Sequence, residues 1–377
     1  MSDIDRKLVT VEQIKEILPH TNADKLEIAR VRGWNVVVGK GEFKPNNLVV
    51  FFEIDSFLPI EPRYEFLRKN CYRSNAYMGE GFKIKTIKLR GEVSQGLILP
   101  LSEFKDIIRF EHADCNFEGG CWFYLNFGNC PDLNTRILPF VGIGDDLTKI
   151  LNVRKWELPI GGGGACLKGN ALGLFPSFIP KTDEERIQNI PQRILDIYKN
   201  DAFEVSIKMD GTSFTAYRKD DHIGVCSRNL EIKDEDDNIY WKVAREHGII
   251  AALEELGLNI AFQGELCGPG ILRNRAKLTD HDIFIFNIYD IDERRYYNSY
   301  QRYTLIDDKL NKSGKNISHI KVEEFLNDFP NVEGLSKYCN NIKFNGQKIE
   351  GVVFKSCDNP SFSFKFINPS YLLENDE

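Results

Sequence analysis

Glu204-Val-Ser-Ile-Lys-Met-Asp-Gly-Thr-Ser213 is the stretch whose reading decides the fold. A run of strand formers, Phe203 to Ile207, delivers Lys208 into a turn marked by Asp210 and Gly211, and a second strand, Phe214 to Arg218, leaves it. Alone, K-x-D-G is a short motif that chance also supplies, and Lys208 then reads as a solvated surface charge. Partners follow downstream in fixed order. Ser227-Arg228-Asn229 comes after the strand Ile223 to Cys226, and Phe262-Gln-Gly-Glu-Leu-Cys-Gly268 sets Glu265 at the end of an apolar run. Ile283-Phe-Ile-Phe-Asn-Ile-Tyr289 is nearly continuous apolar sequence, as a strand buried on both faces should be. Glu350-Gly-Val-Val-Phe-Lys355 and Phe362-Ser-Phe-Lys-Phe366 supply two last strands carrying Glu350, Lys355 and Lys365.

The order K-x-D-G, S-R-N, G-E-L, F-x-F, E-G-V-V-x-K, F-K-F resembles the covalent nucleotidyltransferase superfamily of polynucleotide ligases and mRNA capping enzymes. With Arg186-Ile-Gln-Asn189 upstream, the specific forms look most like ATP-dependent RNA ligases, over roughly residues 145–370. The resemblance implies an α+β chain: an amino-terminal OB-fold β-barrel, then a nucleotidyltransferase (ATP-grasp-like ligase) domain of antiparallel sheets and helices. The connector read at residues 145–180 sets the boundary near 150, giving an OB-fold domain with insertion and connector in residues 1–150 and the catalytic domain in 151–377. Capping enzymes and DNA ligases of this superfamily set an OB domain after the F-K-F strand; here the barrel comes first, the arrangement of one RNA ligase subgroup.

The same resemblance assigns roles. Lys208 is the nucleophile that attacks the α-phosphorus of ATP and holds AMP as a phosphoramidate, splitting one hard displacement into easier ones. Lys355 and Lys365 neutralise charge on the α-phosphate. Asp210, Glu350 and Glu265 are hard oxygen donors for Mg²⁺ or Mn²⁺, partly through water, and Glu265 alternatively meets the ribose. Arg228 contacts ribose or terminal phosphate, Phe286 stacks on adenine, and Arg186, with Lys181 weaker, contacts phosphate. Each has a structural alternative: Glu265 as a turn cap, Phe286 as core. RNA ligases often carry Glu just before the lysine; here it is Ile207, so adenine must be read by other groups. The implied activity joins RNA 3′-hydroxyl and 5′-phosphate ends, through lysyl-AMP and an adenylylated RNA 5′ end, at nicks in duplexes. A capping guanylyltransferase and a non-catalytic RNA-binding OB protein are the alternatives.

Composition sets outer bounds. At 377 residues and 42% hydrophobic, the chain suits about two cores. No apolar run of about 18 residues suggests a membrane span, and the polar start, Met1 to Lys7, is not a signal peptide. Nine cysteines spread along the chain fit reduced intracellular thiols. A soluble, intracellular monomer is expected. Net charge of −7 disfavours a non-specific nucleic-acid coat but not a local basic groove.

Residues 8–100 read as short strands with turn signals, the pattern of a small barrel. Leu8 to Leu18 looks partly helical; Leu26 to Val31, Trp34 to Val38, Leu48 to Ile54, Gly81 to Leu89 and Gly96 to Leu99 are expected strands. Within Phe82 to Arg90, alternation puts Lys83 and Lys85 on one face. With Lys88 and Arg90 they form an acid-free strand that either holds RNA or blunts a solvated edge. Arg273, Arg275 and Lys277 form a second basic cluster, read as RNA contact or as a solvated loop. Cys115, Cys121 and Cys130 lack zinc-site spacing and read as an aromatic-rich insertion. Gly161 to Gly164 reads as a mobile loop. Thr182-Asp-Glu-Glu185 looks like a helix start, and Ile239 to Leu256 like an amphipathic helix.

Overall fold

A computed structural model describes residues 6–104, 108–109, 123–125, 138–156, 170–326 and 332–375. The cysteine insertion (Cys115, Cys121, Cys130) and Gly161 to Gly164 lie outside the described residues. Two compact units emerge, Met1–Pro159 with Asn375–Glu377, and Ile160–Glu374. No described helix is long and apolar enough to cross a membrane. The five described cysteines are free thiols.

The first unit is built on a five-stranded sheet in the order Leu97–Pro100, Leu48–Phe52, Val9–Pro19, Leu26–Val31, Trp34–Gly39. A second sheet carries Arg154–Lys155, Ser56–Leu58, Gly79–Lys83 and Tyr72–Asn75. The hairpin of Thr86–Leu89 and Glu92–Gln95 meets the first sheet where Ser94 Oγ accepts from the Val37 amide at 3.0 Å. Val9, Val50, Phe52, Leu58, Phe82 and Phe104 fill the core.

Two expectations fail here. Leu8 to Leu18 is strand, not helix: a register shift between Ile14 and Glu16 interrupts strict alternation, leaving Ile14, Ile17 and Leu18 at helix-like spacing. Gly81 to Leu89 is not one strand, because pairing stops at Lys83 and resumes at Thr86. Ile84 between them bonds Ser56 and Asp55 across the unit. Lys83 is therefore not on an exposed face. It is 4% exposed, with its ammonium 5.8 Å from the Trp156 ring centroid. Lys85 is half-buried and only Lys88 and Arg90 are exposed, Arg90 with φ 46° in the two-residue turn of the hairpin.

The second unit packs two sheets. One has seven strands, with Leu230–Ile232, His222–Cys226, Thr212–Lys219, Ile260–Cys267 and Asp282–Asp290 adjacent in that order. The other has five, in the order Glu185–Arg186, Ser363–Ile367, Gly351–Ser356, Phe203–Lys208, Val322–Leu326. The expected helix after Thr182 is instead the short parallel strand Glu185–Arg186, pairing Arg186 with Lys365, then a turn of 3₁₀ helix. Ile239 to Leu256 is two helices, Ile239–Glu246 and Ile249–Leu256, broken at Gly248 in the left-handed region (φ 74°). Phe214, Val225, Trp241, Leu253, Ile283 and Ile285 build the core behind the seven-stranded sheet, and Phe203, Val205, Phe354, Phe364 and Leu335 that of the five-stranded one.

Candidate active site

Lys208 ends one sheet and Thr212 begins the other, so Met209-Asp210-Gly211 is the crossover between sheets. Glycine is required there by space. A Cβ on Gly211 would lie 2.5 Å from Cys267 Sγ and from the Leu266 carbonyl, and 2.8 Å from Glu265 Cγ. This close approach lets the Gly211 amide donate to the Glu265 carboxylate. Gly351, opposite Lys208 in the ladder, is equally confined, by the Phe366 carbonyl.

Register assigns the other side chains, because residues directly opposite across strands share a face. Lys208 lies opposite Gly351, Ser206 opposite Val353, and Glu204 opposite Lys355. Val353 lies opposite Lys365, and Lys365 beside Arg186. Lys208, Lys355, Lys365 and Arg186 therefore occupy one face of the five-stranded sheet, while Phe203, Val205 and Ile207 enter the core on the other. Ile207, the residue before the lysine, is buried there.

Carboxylates surround the lysine. Lys208 Nζ donates to Glu350 Oε2 at 2.7 Å. Burial opposes its charge, but Glu350, Glu265 and Asp210 outweigh burial and hold the ammonium well above the ordinary lysine value. Burial, countered by Lys208 and reinforced by Glu350 and Asp210, pushes Glu265 up to about 7. Asp210 Oδ2 accepts from Arg275 Nη1 at 2.5 Å and from the Tyr371 hydroxyl at 2.7 Å. Burial and Asp210 keep Tyr371 protonated, and hence a donor. Burial and the neighbouring Lys208 charge push Lys365 down to about 8, Arg186 adding and Glu184 opposing. Burial and Arg302 do the same to Lys355, against Glu204 and Glu184.

Phe286 sits at a bulge. Gly264 pairs with Ile285 and Gln263 with Asn287, so Phe286 is the extra residue. The core-facing sequence accordingly steps Ile283, Ile285, Ile288, while Phe284 and Phe286 turn to the opposite side. The Phe286 ring centroid is 6.0 Å from Lys355 Nζ, and its carbonyl accepts from that ammonium at 2.7 Å.

Of the residues singled out in the sequence, Lys208, Asp210, Glu265, Glu350, Lys365 and Arg186 form one electrostatically linked set, joined by Lys355 and Phe286. Arg228 is exposed and pairs with Asp183 at 2.8 Å, while Lys181 donates to Asn229 at 3.1 Å. Arg275 is not a solvated loop cation, because its guanidinium is committed to Asp210 and lies 5.7 Å from the Tyr371 ring centroid. Arg273 and Lys277 are exposed. Tyr371 and Arg302 belong to no motif, and Glu204, Asn287 and Glu184, although inside quoted stretches, were given no role in the sequence, since all five meet the site only through tertiary packing.

The donor set suits a hard divalent cation. Three carboxylates face one lysine, and Glu265 resists ionisation in their company, so added positive charge is favoured there. Among the described residues, no group of three or more His, Cys, Asp or Glu is placed to hold a metal ion.

Residues 8–101 match an OB-fold domain family, and residues 201–367 match the RNA ligase family. No curated protein sequence matches the chain. Among solved structures, Naegleria gruberi RNA ligase with PPi is 37% identical, with TM-score 0.81, covering 98% of this chain and 99% of that one. A mutant of that ligase with ATP and Mn is 36% identical, with TM-score 0.81 and coverage of 99% and 100%. Another, with AMP and Mn, is 37% identical, with TM-score 0.82 and coverage of 98% and 99%. Similarity at this level over essentially the full length of both chains, with lysine, carboxylates and basic side chains gathered at one crossover, makes the chain a member of the RNA ligase family.

Proposed function

We propose that this chain is an ATP-dependent RNA ligase acting through a covalent AMP on Lys208, sealing 3′-hydroxyl and 5′-phosphate ends at nicks in RNA-containing duplexes. The observation that carries the reading is the placement of Lys208 among Glu350, Glu265 and Asp210, with Lys355 and Lys365 on the same sheet face. The ATP, AMP, PPi and Mn in the Naegleria structures support it. OB-fold residues 1–150 serve the RNA and residues 151–377 the nucleotide.

Three displacements follow. The neutral Lys208 amine attacks the α-phosphorus of ATP; the P–N bond forms and the P–O bond to pyrophosphate breaks. A 5′-phosphate oxygen of the RNA then attacks the same phosphorus, forming P–O–P and releasing the lysine. Finally the 3′-hydroxyl, losing its proton, attacks the RNA 5′-phosphorus and AMP leaves. Glu350, Glu265 and Asp210 are the residues that would hold Mg²⁺ or Mn²⁺, which would supply positive charge for the phosphates. Lys208 loses its proton more readily once Glu350 is engaged elsewhere. Lys355 and Lys365, both depressed to about 8, carry positive charge at neutral pH and are placed to stabilise the crowded phosphate. Phe286 offers a ring face to adenine, and Arg186 and Arg228 offer cations to phosphate or ribose.

Incubation with α-labelled ATP or GTP, followed by nick sealing on duplexes with RNA or DNA on each side, tests this. Label from ATP on the protein, and joining of RNA ends, are expected. Label from GTP alone would make the chain a guanylyltransferase, and no label with RNA still bound would make it a binding protein.

A further inference from the structure

On the proposed nucleotide face, beside Lys355, lies a charged group that the six motifs do not include. Arg302 is 0% exposed and comes from the short helix Ser299–Tyr303, whose start is fixed by reciprocal hydrogen bonds between Asn298 and Gln301. Its Nη2 donates to both Glu204 oxygens, at 2.7 and 2.8 Å, and its Nη1 donates to the Phe286 carbonyl at 3.1 Å. Ser299 donates its hydroxyl to Glu204. Lys355 Nζ donates to the same Phe286 carbonyl at 2.7 Å and to Asn287 Oδ1. Two buried cations thus share one bulge carbonyl, and one carboxylate serves both.

This is more charge than packing needs. A buried ion pair adds little stability over apolar residues of similar volume, and here Arg302 Nε finds no partner among the described residues. Glu204 is the carboxylate bonded to Arg302, and Glu184 is the second anion that acts on Lys355. We infer that Arg302, anchored by Glu204, is a positioning residue for nucleotidyl transfer, which through the Phe286 carbonyl fixes both the Lys355 ammonium and the Phe286 ring. The inference rests on the roles proposed above for Lys355 and Phe286. The groups that face Lys355 agree with it. Arg302 from the helix adds to burial in lowering its proton affinity, whereas Glu204 on the adjacent strand and Glu184 on the segment before Arg186 oppose that. Burial, Lys208, Glu184, Arg186 and Glu350 are the main influences on Lys365, whereas Arg302 is among the main ones on Lys355.

The test is the rate of AMP attachment across neutral and alkaline pH, with folded fraction and KM for ATP measured alongside. Arg302→Met should lower the single-turnover rate about tenfold or more, as displaced catalytic groups do, and move the alkaline limb to higher pH. Glu204→Gln should move that limb to lower pH. Arg302→Lys should return the limb toward its parental position, because the charge is kept, without restoring the rate, because one ammonium cannot span Glu204 and the carbonyl as the planar fork does. The double variant Glu204→Gln/Arg302→Met removes the paired anion and cation together, so it reports on positioning even if a single variant misfolds. A parental rate in the folded double variant overturns the inference, as do unshifted limbs with activity lost only in proportion to folded protein. Lys355→Met is the control on the underlying roles: parental attachment there removes Lys355 from the reaction, and retained label on Lys208→Ala removes the covalent mechanism itself.

Discussion

Lys208 meets carboxylates before it meets a nucleotide, and this sets what its neighbours are for. With Glu350 at 2.7 Å the amine holds its proton, so in the proposed reaction attack at phosphorus would depend on drawing that carboxylate away. Lys208→Ala is expected to take no label from ATP, yet still to seal RNA already carrying a 5′-AMP, because that step uses no lysine nucleophile; gel assays with labelled ATP and with pre-adenylylated RNA read the two steps separately. Glu350→Ala removes the proton's main partner and a proposed metal donor together. We expect it to raise the Mn²⁺ concentration needed for half-maximal labelling at least about tenfold; an unchanged titration at parental activity would make Glu350 structural. At this scale the motif residues were legible because each has a chemical signature at fixed order. Tyr371 and Arg275 were not, since nothing in the Pro369–Asn375 helix or the loop after Gly270 marks Asp210 as their partner.

At the scale of elements, backbone spacing does as much as side chains. Gly211→Ala is expected to lower the melting temperature and abolish labelling, since its Cβ meets sulfur and carbonyl at 2.5 Å and overpacking of this kind costs about 1–3 kcal/mol. Gly248→Ala, at a helix break with φ 74°, should destabilise by about 1 kcal/mol and leave labelling intact. Calorimetry and labelling on both variants separate site geometry from stability. Strands with plain alternation or clear turns, such as Leu26–Val31 and Trp34–Gly39, were visible in sequence. The errors fall where pairing interrupts a pattern. The shift at Ile14/Glu16 imitates a helix, the break after Lys83 buries a lysine, and the parallel pairing of Arg186 with Lys365 overrides an acidic helix signal. The Phe286 bulge was likewise hidden, because an almost wholly apolar strand shows no phase for an extra residue to disturb.

Across the whole molecule, an acidic chain concentrates cations in a few places. In the first unit the exposed ones of the expected basic strand are Lys88 and Arg90, at the hairpin tip, and Lys83 belongs to the interior. Neutralising Lys88 and Arg90 together should weaken RNA binding and reduce its salt dependence by about 0.7–0.9 in log–log slope for each phosphate no longer neutralised, while ATP labelling persists. Lys83→Ala should instead lower the melting temperature, because it empties a packed position beside Trp156. Binding measured at two salt concentrations, together with thermal melts, distinguishes them; an unchanged slope for the first pair would make the hairpin tip a solvated edge.

The walls of backbone around Lys208 also shape how this protein can change over generations. Gly211 and Gly351 each abut a carbonyl or sulfur closer than a Cβ tolerates. Every possible replacement adds that atom, so a missense change at either codon must displace that backbone or sulfur. A lineage that acquires another nucleotide, or a laboratory library built to find one, must travel through exchangeable side chains such as Phe286, Asn287 and Arg228. The crossover itself is a fixed point in sequence space around which those side chains can drift.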